Sequence, residues 1–321
     1  MVLDYTAQNP LPFLYDPSQL ADFLQINKRT LFYITRRAER FYQAIRIPKK
    51  HGGYRQLYAP IGALKACQTR IYRGILVHLP LSPYATAYRA GARIAGNAAP
   101  HIGKRYLLKL DIADFFGSID FEQVYSAVFN TTRFPRQIGF MLTALCCRRG
   151  ALVQGAPTSP ALSNIVLYRF DMAIGSWCER RGIAYTRYCD DMTFSADRPL
   201  YPVYEKVQAM LDEAGFELNE AKTRFVNCNN RQTVTGLTVN EKLSVPAGYK
   251  RRLRQEVYYA RKYGLADCLR HTGQAAFLTN GQPDIERYRR HLLGRIAFVL
   301  QTEPADRYFI EARNALLARA E

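Results

Sequence analysis

The sequence lacks the features typical of membrane proteins, of zinc-binding proteins and of proteins stabilised by disulfides. No apolar run approaches the roughly 20 residues that a membrane-spanning helix needs, and the first residues lack a charged stretch before an apolar one. The seven cysteines include no Cys-x-x-Cys pair and no histidine at ligand spacing. We therefore expect no membrane segment, a cytoplasmic location, and cysteines that serve as small buried apolar residues.

Acidic residues are scarce relative to basic ones. The 321 residues include 27 Asp and Glu against 45 Lys and Arg, a formal net charge of +18, and the basic residues are spread along the whole chain. This balance predicts a polyanionic partner such as a nucleic acid, because each phosphate that is neutralised releases a counterion. A merely soluble basic surface is the alternative. The 22 Tyr and 17 Phe residues add rings that can stack on bases.

Hydrophobic residues make up 48% of the chain, enough for a large core, and their spacing predicts alternating strands and helices. A strand over 106–111 ends on an acid, and strands over 183–188 and 192–195 flank a tight turn with two adjacent acids. The order strand, helix, strand, strand, helix, strand predicts an α+β fold.

The remaining elements divide the chain into three predicted parts. Residues 1–46 are interpreted as an N-terminal helical extension, 47–236 as a core, and 237–321 as a basic helical subdomain. Within the core, residues 47–60 predict two short strands joined by a Gly-Gly turn. Further helices are predicted at about 64–79, 121–130, 135–147, 161–181 and 203–214.

Three acids are candidates for catalysis. Asp111 ends a predicted strand, and Asp190 and Asp191 occupy the hairpin turn. Two carboxylates side by side at a turn repel one another unless a cation binds them, although a single Asp in such a place is usually a turn cap. Acids that converge from separate strands are what an in-line phosphoryl transfer with two divalent ions needs.

Three short motifs in order resemble those of reverse transcriptases. Residues 188–191, Tyr-Cys-Asp-Asp, are similar to the family's Tyr-x-Asp-Asp box, and 110–116, Leu-Asp-Ile-Ala-Asp-Phe-Phe, resemble the strand that carries its first metal acid. Residues 154–160, Gln-Gly-Ala-Pro-Thr-Ser-Pro, are similar to the loop that lies against template and nucleotide. The resemblance implies a right-hand polymerase architecture, with fingers, a palm built on an antiparallel sheet, and a helical thumb.

The same resemblance implies roles in catalysis. Asp111, Asp190 and Asp191 would hold two Mg²⁺ ions per active site, with help from the backbone carbonyl of Ile112. Lys222 stands where the family has a lysine that protonates the leaving pyrophosphate.

Other residues are expected to bind the deoxynucleoside triphosphate. Lys49, Lys50 and Arg55 lie on the hairpin that resembles the fingers, where such residues neutralise the triphosphate; a solvated basic hairpin is the alternative. Phe116 falls where the family keeps a ring against the sugar, which would exclude a 2′-hydroxyl; plain core packing is the alternative. Gln154 belongs to the loop beside template and nucleotide.

Two further boxes resemble those of bacterial retron reverse transcriptases. Asn97 and His101 match the Asn-Ala-x-x-His element, and Val234, Thr235 and Gly236 match the Val-Thr-Gly element. Either box alone is weak, because Asn and His often serve as turn and cap residues. Together they favour the retron type, and both boxes are expected to take part in RNA recognition.

The retron resemblance implies a cognate structured noncoding RNA as partner. Part of that RNA would be copied into single-stranded DNA from the 2′-hydroxyl of an internal guanosine, giving branched msDNA. The basic segment from residue 250 onward would grip an RNA stem by shape and phosphate, although a charged helix face is the alternative. The residues expected to do so are Lys250, Arg251, Arg252 and Arg254, followed by Arg261 and Lys262. An accessory effector protein and a role in defence against phage are also implied.

Rival interpretations remain. Within polymerases, a group II intron-like or a diversity-generating reverse transcriptase would share the polymerase motifs but not the two retron boxes. From another class, the chain could be an RNA-binding scaffold without activity, although the presence of all three acids argues against it.

Overall fold

The computed structural model describes residues 11–48, 52–272, 277–279 and 282–318. The chain divides into two compact units. The first comprises Met1–Arg93 and Leu107–Phe225, and the second comprises Ile94–Tyr106 and Val226–Glu321. This grouping differs from the three predicted parts, because residues 94–106 join the C-terminal unit through bonds that local spacing cannot reveal. The amide of Gly103 donates to the carbonyl of Val239 at 2.9 Å, and that of Cys228 to Arg105 at 2.8 Å.

The first unit begins with two short capped helices, α1 (Pro17–Phe23) and α2 (Lys28–Arg36). The Asp16 carboxylate accepts from the amides of Ser18 and Gln19, and the Asn27 side chain accepts from Thr30, so each helix starts where its capping residue stands. The helical prediction for this region is therefore confirmed in part.

A β-hairpin follows earlier than predicted. Its strands are β1 (Tyr42–Pro48) and β2 (Tyr54–Pro60), whereas the sequence predicts that the helical extension continues to residue 46. Seven residues of β1 pair with β2 from Tyr42 opposite Pro60 to Pro48 opposite Tyr54. This non-local pairing overrides the local spacing, and the hairpin itself confirms the sequence prediction. Residues 49–51 of its turn lie outside the described residues.

A four-stranded sheet has most of its residues in the first unit. Its strands are β3 (Tyr106–Asp111), β4 (Ala184–Tyr188), β5 (Asp191–Ala196) and β6 (Arg224–Asn227), in the order β4-β5-β3-β6. The strands predicted at 106–111, 183–188 and 192–195 are confirmed within one or two residues, and β4 and β5 are antiparallel. The fully buried Leu108 and Phe194 belong to the core on this sheet.

Helices surround the sheet in the first unit. They are α3 (Gly62–Gly74), α5 (Phe121–Val124), α6 (Arg136–Cys146), α7 (Ser159–Val166), α8 (Tyr168–Glu179) and α9 (Tyr201–Glu213), with a π-helical turn at Tyr125–Phe129. The single helix predicted over 161–181 is wrong, because it is interrupted at Leu167, where ψ is 2°. Leu167 is buried, so the apolar spacing continues across the interruption and gives no sign of it.

The second unit is mainly helical, as predicted for the C-terminal part. Its helices are α4 (Ile94–Ala98), α10 (Ala247–Tyr263), α11 (Leu265–Thr272), α12 (Ile285–Thr302) and α13 (Arg307–Ala318). Its short strands are β7 (Thr233–Val234), β8 (Leu237–Thr238), β9 (Leu278–Thr279) and β10 (Gln282–Pro283). In the described parts of the chain, no helix is both long enough and apolar enough to cross a bilayer.

Candidate active site

The first unit brings two of the three candidate acids to one cavity. Asp111 is the last residue of β3, and Asp190 lies in the turn between β4 and β5. The amide of Ile112 is 3.2 Å from the carbonyl oxygen of Asp190, so the end of β3 lies beside the turn. The cavity has a volume of about 660 Å³, and Asp111, Ile112 and Asp190 all line it.

The turn that carries Asp190 is tight and strained. Tyr188 pairs with Asp191, which leaves Cys189 and Asp190 as a two-residue loop. Cys189 has a φ of 61°, which an L-residue other than glycine adopts at a cost of about 1–3 kcal/mol. Two-residue hairpin loops use turns with positive φ, because the twist of such turns matches the right-handed twist of the flanking strands. The strain at Cys189 is therefore a consequence of the short hairpin loop.

Lys222 forms an ion pair with Asp111. Its Nζ lies 2.8 Å from both carboxylate oxygens of Asp111, which is 3% exposed. Backbone bonds fix this approach: the amide of Asn219 donates to the carbonyl of Asp111 at 2.8 Å, and that of Lys222 to Asn219 at 2.9 Å. Burial alone would lower the pKa of Lys222, but the bond to Asp111 and the charges of the three aspartates raise it above its ordinary value.

The acids of the turn are harder to ionise than usual. Burial raises the pKa of Asp190 to about 6, and the charges of Asp111 and Asp191 add to that rise. Burial also raises the pKa of Asp191, with a further contribution from Asp111 and an opposing one from Lys109. Mutual repulsion of this kind marks a place where a bound cation would be stabilising.

Among the described residues, no three acidic, histidine or cysteine side chains are placed so that they could hold a metal as they stand. The ammonium of Lys222 takes the position of a cation on Asp111. A divalent ion at Asp111 would therefore have to displace Lys222, and the shared metal site stays a prediction.

Three of the residues expected at the nucleotide line the same cavity. Arg55 is an exposed residue of β2, Phe116 is half-buried, and Gln154 belongs to the loop before α7. Phe116 lies beside Phe115, with ring centroids 5.2 Å apart, but is not part of the fully buried core. Lys49 and Lys50 lie outside the described residues, and all the nucleotide-binding roles stay predictions.

The loop at Gln154 is joined to the hairpin. The amide of Tyr58 in β2 donates to the carbonyl of Gln154 at 2.9 Å. Gly155 follows with a φ of 118°, and a Cβ there would stand 2.9 Å from the carbonyl oxygen of Tyr58. Only glycine allows this approach without a shift, so the loop and β2 form adjoining walls of the cavity.

Sequence reasoning missed several residues of this site. Tyr88, Asp114 and Asn219 all line the cavity. The φ angles of Tyr88 and Asp114 are positive, at 57° and 41°. Asp114 falls inside the motif at 110–116, and Asn219 lies three residues before Lys222, so neighbouring residues offered a signal. Tyr88 has no local signal, because only tertiary structure brings it to the acids.

The two retron boxes meet inside the second unit, where three of their side chains are buried. The Asn97 amide nitrogen is 3.4 Å from Oγ1 of Thr235, which lies 3.3 Å from the carbonyl oxygen of Ile94. Asn97, His101 and Val234 are each at most 1% exposed, and burial lowers the pKa of His101 to about 4. The role of these residues in RNA recognition stays a prediction.

The basic residues at the start of α10 divide into two kinds. Lys250 forms an ion pair with Glu303 at 2.7 Å, and Arg254 one with Asp306 at 3.4 Å. Both charges are thus compensated within the second unit. Arg251 and Arg252 are exposed. Arg254 is exposed as well despite its ion pair, so of the four predicted RNA contacts only Lys250 is largely enclosed.

Comparison with known proteins assigns the chain to a family. Residues 47–255 match the family described as Reverse transcriptase (RNA-dependent DNA polymerase). The match covers more than half of the chain, so the chain belongs to the reverse transcriptases. Enzymes of this family use divalent metal ions.

Two similar proteins show to which group of reverse transcriptases the chain belongs. The chain is 35% identical over 286 residues to the retron Mx65 reverse transcriptase of Myxococcus xanthus, covering 83% of this chain and 62% of that protein. It is 30% identical over 254 residues to the retron Ec86 reverse transcriptase of Escherichia coli, covering 78% of this chain and 79% of that protein. The chain belongs to the retron reverse transcriptases, and it spans just under two thirds of the length of the Mx65 enzyme.

Solved structures with a slight likeness to this chain include telomerases. Telomerase from Candida albicans, in complex with a fragment of telomeric RNA, is 12% identical with a TM-score of 0.45. That likeness covers 86% of this chain and 62% of the telomerase chain. It is too low to add to the family assignment.

Proposed function

We propose that this chain copies part of a structured RNA into single-stranded DNA at the cavity of the first unit. The observation that carries the proposal is the meeting of Asp111 and Asp190 in one cavity with Lys222, Arg55 and Phe116. These residues come from β3, the β4–β5 turn, the segment before β6, the hairpin and the turn after β3. Their types suit a polyphosphate, a sugar and a cation.

The donor set fits Mg²⁺. Asp111, Asp190 and Asp191 supply carboxylate oxygens and Ile112 a backbone carbonyl, the hard oxygen ligands that Mg²⁺ prefers. The cluster already attracts the Lys222 ammonium, which supports its affinity for cations. When bound, two Mg²⁺ ions would neutralise charge on the attacking and leaving oxygens of the phosphoryl transfer.

Basic side chains are proposed to neutralise the triphosphate and to protonate the leaving pyrophosphate. Arg55 projects from β2 into the cavity, where its guanidinium can form paired hydrogen bonds with phosphate oxygens. Lys49 and Lys50 on the same hairpin are proposed to add charge there. Lys222 is proposed to donate a proton from Nζ to the pyrophosphate oxygen as the bond to the α-phosphorus breaks.

Phe116 is proposed to select deoxynucleotides. Its half-buried ring lines the cavity close to Asp111, where a ribose 2′-hydroxyl would have to fit. Gln154 is proposed to contact the incoming nucleotide from the loop that is bonded to β2.

Primer extension tests the polymerase proposal. The wild-type chain should extend a DNA primer on an RNA template with deoxynucleotides and Mg²⁺, and the variant Asp190→Ala, Asp191→Ala should not. Both proteins should bind the primed template with similar affinity, because the acids contribute to chemistry. Equal inertness of the two proteins with RNA binding retained would instead support the scaffold interpretation.

The retron relatives extend the proposal to the substrate. We propose that the template is a cognate noncoding RNA, that synthesis begins at the 2′-hydroxyl of an internal guanosine, and that the product is branched msDNA. Arg251 and Arg252 would contact RNA phosphates, with the turn at Thr235 and Gly236 as a second contact. Nucleic acid purified with the protein from its native locus should contain an RNA–DNA branch, detected by debranching before and after ribonuclease treatment. Linear RNA alone would contradict this.

A physiological role follows from the same resemblance. We propose that the enzyme acts with an accessory effector protein in defence against phage. The efficiency of phage plating on cells that carry the native locus should rise when Asp190 and Asp191 are changed to alanine. An unchanged efficiency of plating would show that defence does not require the polymerase activity.

A further inference from the structure

The cavity of the first unit has an aromatic wall on the β1–β2 hairpin. Tyr54, Gln56 and Tyr58 alternate along β2, so their side chains share one face of the strand, and all three line the cavity. Leu57, which lies between two of them on the other face, does not line it. Arg55 joins the wall close to the hairpin turn. The half-buried side chain of Tyr58 therefore faces the same space as the candidate acids.

One face of the Tyr58 ring is covered by a cation. The guanidinium carbon of Arg148 lies 3.7 Å from the centre of that ring, a cation–π distance. Arg148 stands behind the ring, because it is not itself a residue of the cavity wall. Tyr58 thus presents its opposite face or its edge to the cavity, and Arg148 keeps the ring in that orientation.

Backbone bonds hold both partners of this stack. The amide of Tyr58 donates to the carbonyl of Gln154 at 2.9 Å. Arg148 and Ala151 exchange two backbone bonds, of 2.8 Å and 3.2 Å, just after the end of α6. Residues 152–154, which follow directly, line the cavity. The hairpin and the loop therefore meet at the contact between Tyr58 and Arg148, and the ring has a fixed position in the wall.

The contact with Tyr58 accounts for the position of the Arg148 side chain. Nε of Arg148 is buried and has no hydrogen-bond partner among the described residues. A buried donor without a partner lowers stability, so this atom does not hold the side chain in place. The guanidinium is held instead by its packing on the ring. Because the two side chains are in direct contact, the effects of changing them should be coupled.

We propose that the ring of Tyr58 stacks on the base of the incoming deoxynucleotide and that Arg148 is a positioning residue behind the ring. The inference deepens the proposed function and rests on it, because it takes the cavity as the polymerase site. Two residues proposed to contact the same nucleotide are close to Tyr58: Gln154 is bonded to it, and Arg55 precedes it by three residues. Every base has a flat π-face, so this contact would serve all four nucleotides.

Single-nucleotide incorporation by the full-length chain tests this inference, on primed RNA templates that differ in the templating base. Tyr58→Ala removes the ring, Tyr58→Phe keeps it, and Arg148→Met removes the cation behind it. Arg149→Met is the matched control, because Arg149 is the next residue, is exposed, and pairs with Glu39 at 3.1 Å. KM and kcat are measured for each of the four deoxynucleotides, and binding of the primed template is measured separately.

Tyr58→Ala should raise KM for all four nucleotides by roughly tenfold, the effect of losing one stacked base. The value of kcat should stay within about twofold, because the stack is equally strong in the ground state and in the transition state. Tyr58→Phe and Arg149→Met should behave like the wild type. Arg148→Met should raise KM by about threefold, but it should have no further effect when Tyr58 is already replaced by alanine.

Four results would overturn the inference: an unchanged KM in Tyr58→Ala, an equal rise in KM with Arg149→Met, additive effects of Tyr58→Ala and Arg148→Met, or a loss of primed-template binding that accounts for the whole defect of Tyr58→Ala. Tyr58→Leu, which keeps an apolar side chain without a ring, replaces the alanine variant if that variant does not fold. Inability of the wild type to extend any primer would overturn the polymerase proposal and this inference together. Normal extension by the wild type with any of the four results would overturn the Tyr58 inference alone.

Discussion

The guanidinium of Arg187 and the carboxylate of Asp171 form a two-bonded ion pair in the interior of the first unit. The bonds measure 2.9 Å and 2.6 Å, and neither side chain is exposed. The hydroxyl of Tyr185 also donates to Asp171 at 2.8 Å. Another nitrogen of Arg187 donates at 2.9 Å to the carbonyl oxygen of Cys189, the strained residue before Asp190. A buried ion pair thus supports the turn that presents the candidate catalytic acids.

Arg187→Met should lower the free energy of unfolding by about 3–5 kcal/mol, because it leaves the Asp171 carboxylate buried without its partner. The double variant Arg187→Met, Asp171→Leu should recover most of that loss, since no buried charge remains. Urea unfolding measures both. The double variant should nevertheless extend primers more slowly than the wild type, because the bond to the Cys189 carbonyl is missing. If the double variant is stable and extends primers at the rate of the wild type, the conformation of the turn does not depend on Arg187.

Asp190→Asn should stabilise the metal-free protein at neutral pH. The folded pKa of Asp190 is raised to about 6 from 3.8, so its contribution to stability is complete below pH 3.8 and is lost as the pH rises towards 6. An asparagine has no such loss. Thermal unfolding at pH 7.5 should therefore show a higher midpoint for the variant without metal. Adding Mg²⁺ should raise the midpoint of the wild type and leave that of the variant almost unchanged; an equal rise in both would exclude Asp190 from cation binding.

Lys222→Met should separate metal binding from chemistry. Removing the ammonium that occupies Asp111 should tighten binding of Mn²⁺, used as a spectroscopic substitute for Mg²⁺. Extension at saturating metal should slow by about 10²–10⁴-fold if Lys222 is the proton donor. Electron paramagnetic resonance titration and single-nucleotide incorporation measure the two effects. Lys206→Met, an exposed lysine of α9, is the control and should change neither.

Phe116→Ala should relax discrimination against ribonucleotides. Opening the space next to the sugar should raise the ratio of ribonucleotide to deoxynucleotide incorporation by roughly 10–100-fold, the range that such contacts discriminate. Competitive incorporation on a single RNA template measures the ratio, and Phe116→Tyr, which keeps the ring, should retain discrimination. A lower rate for both nucleotides at an unchanged ratio would assign Phe116 to packing.

Local patterns predicted the elements whose residues are close in the chain. The strand ending at Asp111 and the hairpin around Asp190 appeared within one or two residues of their predicted positions. Their signals are the alternation of apolar residues and the turn between two strands, both of which act over a few residues. The start of β1 was missed because seven pairs with β2 outweigh the helical spacing before it.

The sequence by itself determined the α+β class, the order of the motifs, and which acids are candidates for catalysis, because these depend on residue types at short spacings. Only the tertiary structure decided that Lys222 holds Asp111, that Arg187 supports the Cys189 turn, and that Asn97 and His101 are buried. Each of these depends on residues that are far apart in the chain or on burial. Such contacts form when the whole core packs, and no short segment determines the free energy of that packing.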